Sequence, residues 1–175
     1  MSWIGSLILV SLAAIACQRS YEFVVPQDFE GPVVIVFDDP GGVDSDGELR
    51  VPEDGILFVK AHIRQGTFGV YAESPDMQRR RLSCTTASSD GPQCLNLLSI
   101  GGRLNGCLPE SAMPFNLVTF VVASNATASD LERAQEQAVR EATMRSLEHR
   151  GQKDVSDCYR DRPHVLGSYL KSSRQ

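Results

Sequence analysis

Gly31-Pro32-Val33-Val34-Ile35-Val36-Phe37-Asp38-Asp39-Pro40-Gly41-Gly42 is the stretch that decides the fold class of this chain. Val33 to Phe37 is an unbroken run of β-branched and aromatic residues, too short for a helix and closed at both ends by breakers. It reads as a buried, central β-strand. Upstream, Tyr21-Glu22-Phe23-Val24-Val25 alternates as an opening strand, and Pro26 to Pro32 is a turn. Downstream come a strand at Glu48-Leu49-Arg50-Val51, a turn at Pro52-Glu53-Asp54-Gly55 and a strand over Ile56–Ala61 that His62 and Ile63 extend. Gln65-Gly66 then turns the chain into Thr67–Ala72. Short strands with turn signals about every ten residues predict a sandwich or barrel.

Further along, Leu95–Ile100 is apolar and reads as a strand or one helical turn, Gly101–Cys107 as a loop, and Phe115–Ala123 as the last strong, central strand. Thr127–Arg150 changes period. Ser129-Asp130-Leu131-Glu132 forms a capping box, and Gly151 stops the segment. Leu131, Ala134, Ala138, Ala142 and Leu147, with Val139 and Met144 beside them, mark one apolar side. This is a single amphipathic helix whose apolar side packs onto a sheet. Val165–Leu170 can add a final edge strand. The expected fold is mainly β, a small β-sandwich with one long C-terminal amphipathic α-helix packed on it, α+β overall.

The chain opens with an apolar segment, Ile4 to Ala16, of signal-peptide length and well short of the ~20 residues that span a bilayer. It closes on Ala14-Ile15-Ala16-Cys17, which resembles the bacterial lipobox, although no Lys or Arg precedes Ile4. The resemblance implies that Cys17 is acylated and becomes the first residue. Two or three acyl chains, at ~0.8 kcal/mol per buried CH₂, anchor far better than one. The organisation is then 1–16 leader, 17–20 lipidated tether and 21–175 a single sandwich-plus-helix domain. Gln18, where Asp would suggest inner-membrane retention, points to an outer membrane if the organism has one.

Export also bears on the other cysteines. Cys84, Cys94, Cys107 and Cys158 remain beside Cys17, an even number that reads as two disulfides. Three connectivities stay open, with Cys84–Cys94 plus Cys107–Cys158 the favoured pair. No Cys-x-x-Cys occurs, and His62, His149 and His164 do not sit at zinc-ligand spacing from a cysteine. The formal charge is −5 with both signs interspersed, so no basic stripe invites nucleic acid.

Tyr21-x-x-x-Val25-Pro26-x-x-Phe29-x-Gly31-x-Val33, followed by Leu49-x-Val51-Pro52-x-x-Gly55-Ile56-Leu57, resembles a family of uncharacterised bacterial lipoprotein domains. The resemblance covers about residues 21–75. It implies a small β-sandwich of the transthyretin or carboxypeptidase-regulatory kind and brings no catalytic residues with it.

Chemistry is sparse. Asp38, Asp39, Asp44, Asp46 and Glu48, around the Pro40-Gly41-Gly42 turn, are the candidate cation ligands, since calcium takes about six to eight oxygens. The spacing departs from the EF-hand pattern, and Asp and Gly equally serve tight turns. There is no Gly-x-Ser-x-Gly, Ser-x-x-Lys with supporting motifs, or His-Glu-x-x-His. Cys107 with His62 or His164 forms a Cys/His pair only if the thiol stays reduced. Arg79-Arg80-Arg81, the basic run, suits either lipid headgroups or a solvated strand edge. The expectation is a lipid-anchored cell-envelope binding or assembly module, non-catalytic and without a resident cofactor, held to the membrane through Cys17 and docking an envelope protein. The alternatives are an envelope hydrolase with an unrecognised site and an inhibitor presenting the Cys84–Cys94 loop.

Overall fold

A computed structural model describes residues 19–44, 48–63, 66–84, 93–104, 113–124 and 128–152. Its strands are β1 (Arg19–Pro26), β2 (Gly31–Phe37), β3 (Glu48–Arg50), β4 (Ile56–Phe58), β5 (Gly66–Glu73), β6 (Arg79–Leu82), β7 (Gln93–Leu104) and β8 (Met113–Ala123). One helix, α1 (Ala128–His149), follows. The strands form two four-stranded sheets in the orders β3-β1-β5-β6 and β4-β2-β8-β7. The architecture is mainly β, two sheets and a C-terminal helix, as the hydrophobic pattern predicts.

Val33 to Phe37 is fully buried because β2 is central and covered on both faces. Val33, Ile35 and Phe37 join Phe23, Val25, Val70, Val118 and Phe120 in the core between the sheets. Phe23 stacks on Phe68 at 5.6 Å and on Phe120 of the opposite sheet at 5.8 Å, and Tyr21 meets Phe37 edge-on at 5.6 Å. Each fully buried Phe of this kind stabilises by about 2–3 kcal/mol.

The connections differ from hairpins. β1 lies parallel to β3 and β5, and β2 parallel to β4. The cause is a repeated turn. Val25-Pro26-Gln27-Asp28 and Val51-Pro52-Glu53-Asp54 share the pattern Val-Pro-x-Asp, and each proline carbonyl accepts from the amide three residues on, Phe29 at 3.0 Å and Gly55 at 2.9 Å. Proline offers no amide to extend its ladder, so at each turn the chain leaves one sheet and enters the other. The two arches stack, with Val51 N donating to Val24 O at 2.9 Å on one layer and Val34 N to Gly55 O at 2.8 Å on the other.

Three features depart from expectation. β4 stops at Phe58, because Val59 then bridges Val43 of the returning loop. Gly101 to Leu104 is strand, paired to Met113–Asn116, where the glycines suggest loop. The ladder shifts register between Leu95 and Leu98, and β7 runs on past the end of β2. Lastly, the buried stripe of α1 is Leu131, Gln135, Val139, Ala142, Thr143, Ser146 and Leu147, while Ala134, Ala138 and Met144 lie beside it, half-buried. Gln135 Nε2 donates to Thr119 Oγ1 at 3.2 Å, and Thr119 Oγ1 donates to Val33 O at 2.9 Å. Gly151, at φ 69°, ends the helix in a Schellman motif: Gln152 N donates to Leu147 O and Gly151 N to Glu148 O.

Cys84 and Cys94 are joined by a disulfide, with Cα atoms 4.4 Å apart. It links the end of β6 to the start of β7, edge strands of different sheets, beside a Cys94 N to Ser83 O hydrogen bond of 3.0 Å. The bridge therefore closes that side of the sandwich. Cys17, Cys107, Cys158, His164 and the Val165–Leu170 segment lie outside the described residues.

Candidate functional site

The acidic turn after β2 is where titratable side chains gather. Asp38 has φ 59°, a left-handed conformation that costs a non-glycine residue about 1 kcal/mol or more. Several contacts hold it there. Its carboxylate receives His62 Nδ1 at 2.9 Å and Asn116 Nδ2 at 3.0 Å, and its carbonyl accepts from Arg150 Nη2. Asp39 is wholly buried. Its Oδ1 accepts from Gly41 N at 2.9 Å and pairs with His149 Nδ1 at 2.8 Å, while Oδ2 has no partner among the described residues.

Local sequence explains why His149 can arrive. A Cβ on Gly41 would stand 2.7 Å from the His149 ring, and one on Gly42 would stand 2.5 Å from the Val59 amide nitrogen. The turn is double-glycine because α1 and β4 press against it. His149 also meets the Phe58 ring edge-on at 4.6 Å. One turn earlier on α1, Arg145 lies over the same ring at 5.1 Å and pairs with Asp54 at 2.8 Å. Partial burial alone would push the Asp54 carboxyl up. The Arg145 and Ile56 hydrogen bonds outweigh it and hold the pKa below its ordinary value.

Beside this turn lies a depression of about 610 Å³ bordered by Asp38, Asp39, Pro40, Lys60 and Arg150. Two His–Asp pairs stand close by, the orienting half of a hydrolytic constellation. The residues bordering the depression include no serine, threonine or cysteine. What the arrangement does mechanically is plain: it bolts the last turn of α1 to the end of β2.

The four candidate cation ligands among the described residues do not converge. Asp38 goes to His62 and Asn116, Asp39 to His149 and Gly41, and the exposed Asp44 to Lys60 at 3.4 Å. Glu48 lies on β3, where it binds Arg50 at 3.0 Å and Arg79 at 2.9 Å, and Asp46 lies outside the described residues. Among the described residues no three His, Cys, Asp or Glu side chains are grouped to hold a metal ion. The described donors are not grouped as a calcium site, because Asp38, Asp39, Asp44 and Glu48 turn to separate partners. His62 is well exposed and bound to Asp38. Asn116, His149 and Arg150 carry no motif that sequence reasoning could have tied to this turn.

The basic run forms the core of β6. Arg79 spans the outer face of its sheet, reaching Glu73 at 2.9 Å, Glu48 at 2.9 Å and Glu22 at 3.6 Å. Arg50 binds Glu73 and Glu48 from the other side. Hydrogen bonds from Arg50 and then Arg79 hold the Glu73 carboxyl down at about 2 against an ordinary 4.5. Register places Arg79 level with Pro26 at the far end of β1 from Arg19, roughly 20 Å away. With these partners Arg79 belongs to an ion-paired, exposed strand edge.

No family model and no curated protein matches this chain. Among solved structures, a 2.75 Å crystal structure of a Bacillus anthracis protein, provisionally described as a lipoprotein, matches with a TM-score of 0.47 and 14% identity. It covers 75% of this chain and 95% of that one. A likeness of that size says nothing of chemistry.

Proposed function

We propose that this protein is a lipid-anchored module of the bacterial cell envelope, held by acyl chains on Cys17 and acting by binding or assembly rather than catalysis. The observation that carries the reading is Ala14-Ile15-Ala16-Cys17 set two residues ahead of β1, which begins at Arg19. Among the described residues no helix is long and apolar enough to cross a membrane. An anchor at Cys17 would hold the pole where β1 begins, β2 and β4 end and α1 terminates. The opposite pole, with both proline arches and the Ser74–Gln78 turn, then faces away and is the surface for a partner. Gln18 favours the outer membrane where there is one. A binding role is supported by the use made of the titratable groups: the His149–Asp39 pair fastens elements together.

The test is an intact mass of the protein extracted from its native membranes, beside a Cys17→Ser variant. The expected mass is residues 17–175 plus acyl chains, and the variant should leave the detergent phase. A native mass equal to the unprocessed chain would overturn the proposal.

A further inference from the structure

Strand β6 closes one edge of its sheet, in the order β3-β1-β5-β6. The turn before it fixes which backbone groups face outward. Ser74 N donates to Gln78 O at 3.0 Å, and the ladder then pairs Glu73 with Arg79, Ala72 with Arg80, Tyr71 with Arg81 and Val70 with Leu82. Antiparallel pairs alternate between those that exchange hydrogen bonds and those that do not. Arg80 and Leu82 therefore bond to β5, while Arg79 and Arg81 turn their N–H and C=O groups away from it. Ser83 continues the outward set, and its carbonyl accepts from Cys94 N at 3.0 Å. The chain thus places one backbone bond of its own on this edge, beside the disulfide. Among the described residues the outward groups of Arg79 and Arg81 have no backbone partner.

Charge says what the edge would take. Of the arginines whose side chains are described, Arg50, Arg79, Arg133, Arg140 and Arg145 each reach a carboxylate, and Arg150 reaches the Asp38 carbonyl. Arg80 and Arg81 are exposed and have no such partner among the described residues. They belong to opposite faces: Arg81 is level with Tyr71 on the face that carries Arg79, and Arg80 with Ala72, which packs in the core. Each borders a depression, one of about 380 Å³ that Gln27 and Ser74 also line, the other of about 400 Å³ beside Phe68 and Leu82. Successive residues of an incoming strand alternate in the same way, so two acidic residues in a row give each guanidinium a carboxylate. The same charges exclude a second copy of β6, which would bring two Arg79-Arg80-Arg81 runs to one seam. Residues 85–92 carry one acidic residue, Asp90, next to Gly91-Pro92, and so do not supply the pair.

We infer that β6 is the docking edge for an extended acidic segment of a partner protein. The segment adds to the sheet as a further strand, bonds the backbone of Arg79 and Arg81, and sets successive carboxylates against Arg80 and Arg81. β6 starts at the pole assigned above to a partner, since Arg79 is level with Pro26. The inference rests on the binding role proposed above and names its partner; the edge itself needs no acyl anchor.

Backbone amide exchange tests it on the full chain purified from its membranes, read residue by residue with electron-transfer mass spectrometry. In the free protein the Arg79 and Arg81 amides should exchange at least ~10-fold faster than those of Arg80 and Leu82. The probe is the blocked peptide acetyl-Thr-Val-Glu-Glu-Val-Thr-amide, which should slow both outward amides. It should bind about fivefold more tightly than its Gln-Gln counterpart, the scale of two exposed ion pairs, and a Lys-Lys counterpart should bind more weakly still. R80E/R81E should reverse that order. Should the variant unfold, R80Q/R81Q should bind the Glu-Glu and Lys-Lys peptides alike. Outward amides already slow in the free protein would overturn the inference, because the chain's own residues would then cover the edge. So would binding without regard to charge, no slowing at all, or arginines that drive sedimentation with phosphatidylglycerol vesicles instead. An unprocessed native mass with the peptide result intact would sink the anchor and leave the edge standing.

Discussion

Replacing Cys84 and Cys94 together by alanine isolates what the bridge between the two sheets contributes. Alanine is the right substitute because Cys94 is fully buried, and a serine there would bury a hydroxyl. The bridge spans a sequence separation of 10. The loop-entropy relation gives about −9 cal/mol/K for a loop of that size, or about 2.7 kcal/mol at 25 °C. Losing the buried sulfur adds roughly 1 kcal/mol. The variant should therefore be less stable by about 3–4 kcal/mol, a fall in Tm of roughly 6–15 °C for a chain of this length. Urea titration under non-reducing conditions measures it, since the substitution leaves the remaining cysteines untouched. The m-value should rise as well, because an uncrosslinked denatured chain exposes more surface. A loss below about 1 kcal/mol with an unchanged m-value would refute the reasoning. The edges would then be held by the Cys94–Ser83 hydrogen bond and the core alone.

Two other perturbations test the charged groups. Glu73 takes up a proton near pH 4.5 when unfolded but only near 2 when folded, so its stabilisation is full above about pH 4.5 and lost as pH falls toward 2; Glu73→Gln should flatten that limb of an acid titration followed by circular dichroism, and an identical limb would count against the arginine clamp. His149→Ala leaves the buried Asp39 side chain without its imidazole hydrogen-bond partner and should cost about 2 kcal/mol. Adding Asp39→Asn should cost less in urea midpoint than the same change made in the presence of His149, whereas simple addition of two penalties would contradict a direct contact between the two side chains.

The α1 stripe shows where legibility ended in the helix. Leu131, Val139, Ala142 and Leu147 followed from periodicity, and they are buried. Gln135, Thr143 and Ser146 could not be assigned to the same face by hydrophobicity. They are buried because hydrogen bonds are available locally: Thr143 to the Val139 carbonyl, and Gln135 to Thr119 across the interface. The candidate site failed for a related reason. Asp38 and Asp39 stood out as acidic, but their partners lie between 24 and 112 residues away, and only the fold brings His62, Asn116, His149 and Arg150 to one turn.

Turn chemistry also underdetermines direction. Pro26-Gln27-Asp28-Phe29 and Pro52-Glu53-Asp54-Gly55 announce turns, and a turn between two alternating strands usually means a hairpin within one sheet. Here β1 and β2 are both apolar toward the space between them, Phe23 and Val25 on one side and Val33 and Ile35 on the other. Pairing them edge to edge would leave one of those faces without a second layer, whereas folding them face to face buries both at once. The second arch then has a template. Leu49 sits beside Phe23 and Leu57 beside Ile35, so stacking in parallel continues the same core by two more strands without a new nucleus. The repeated Val-Pro-x-Asp is thus a signal of equal arches rather than of successive hairpins, and it is visible in the sequence once the parallel register shows what to look for.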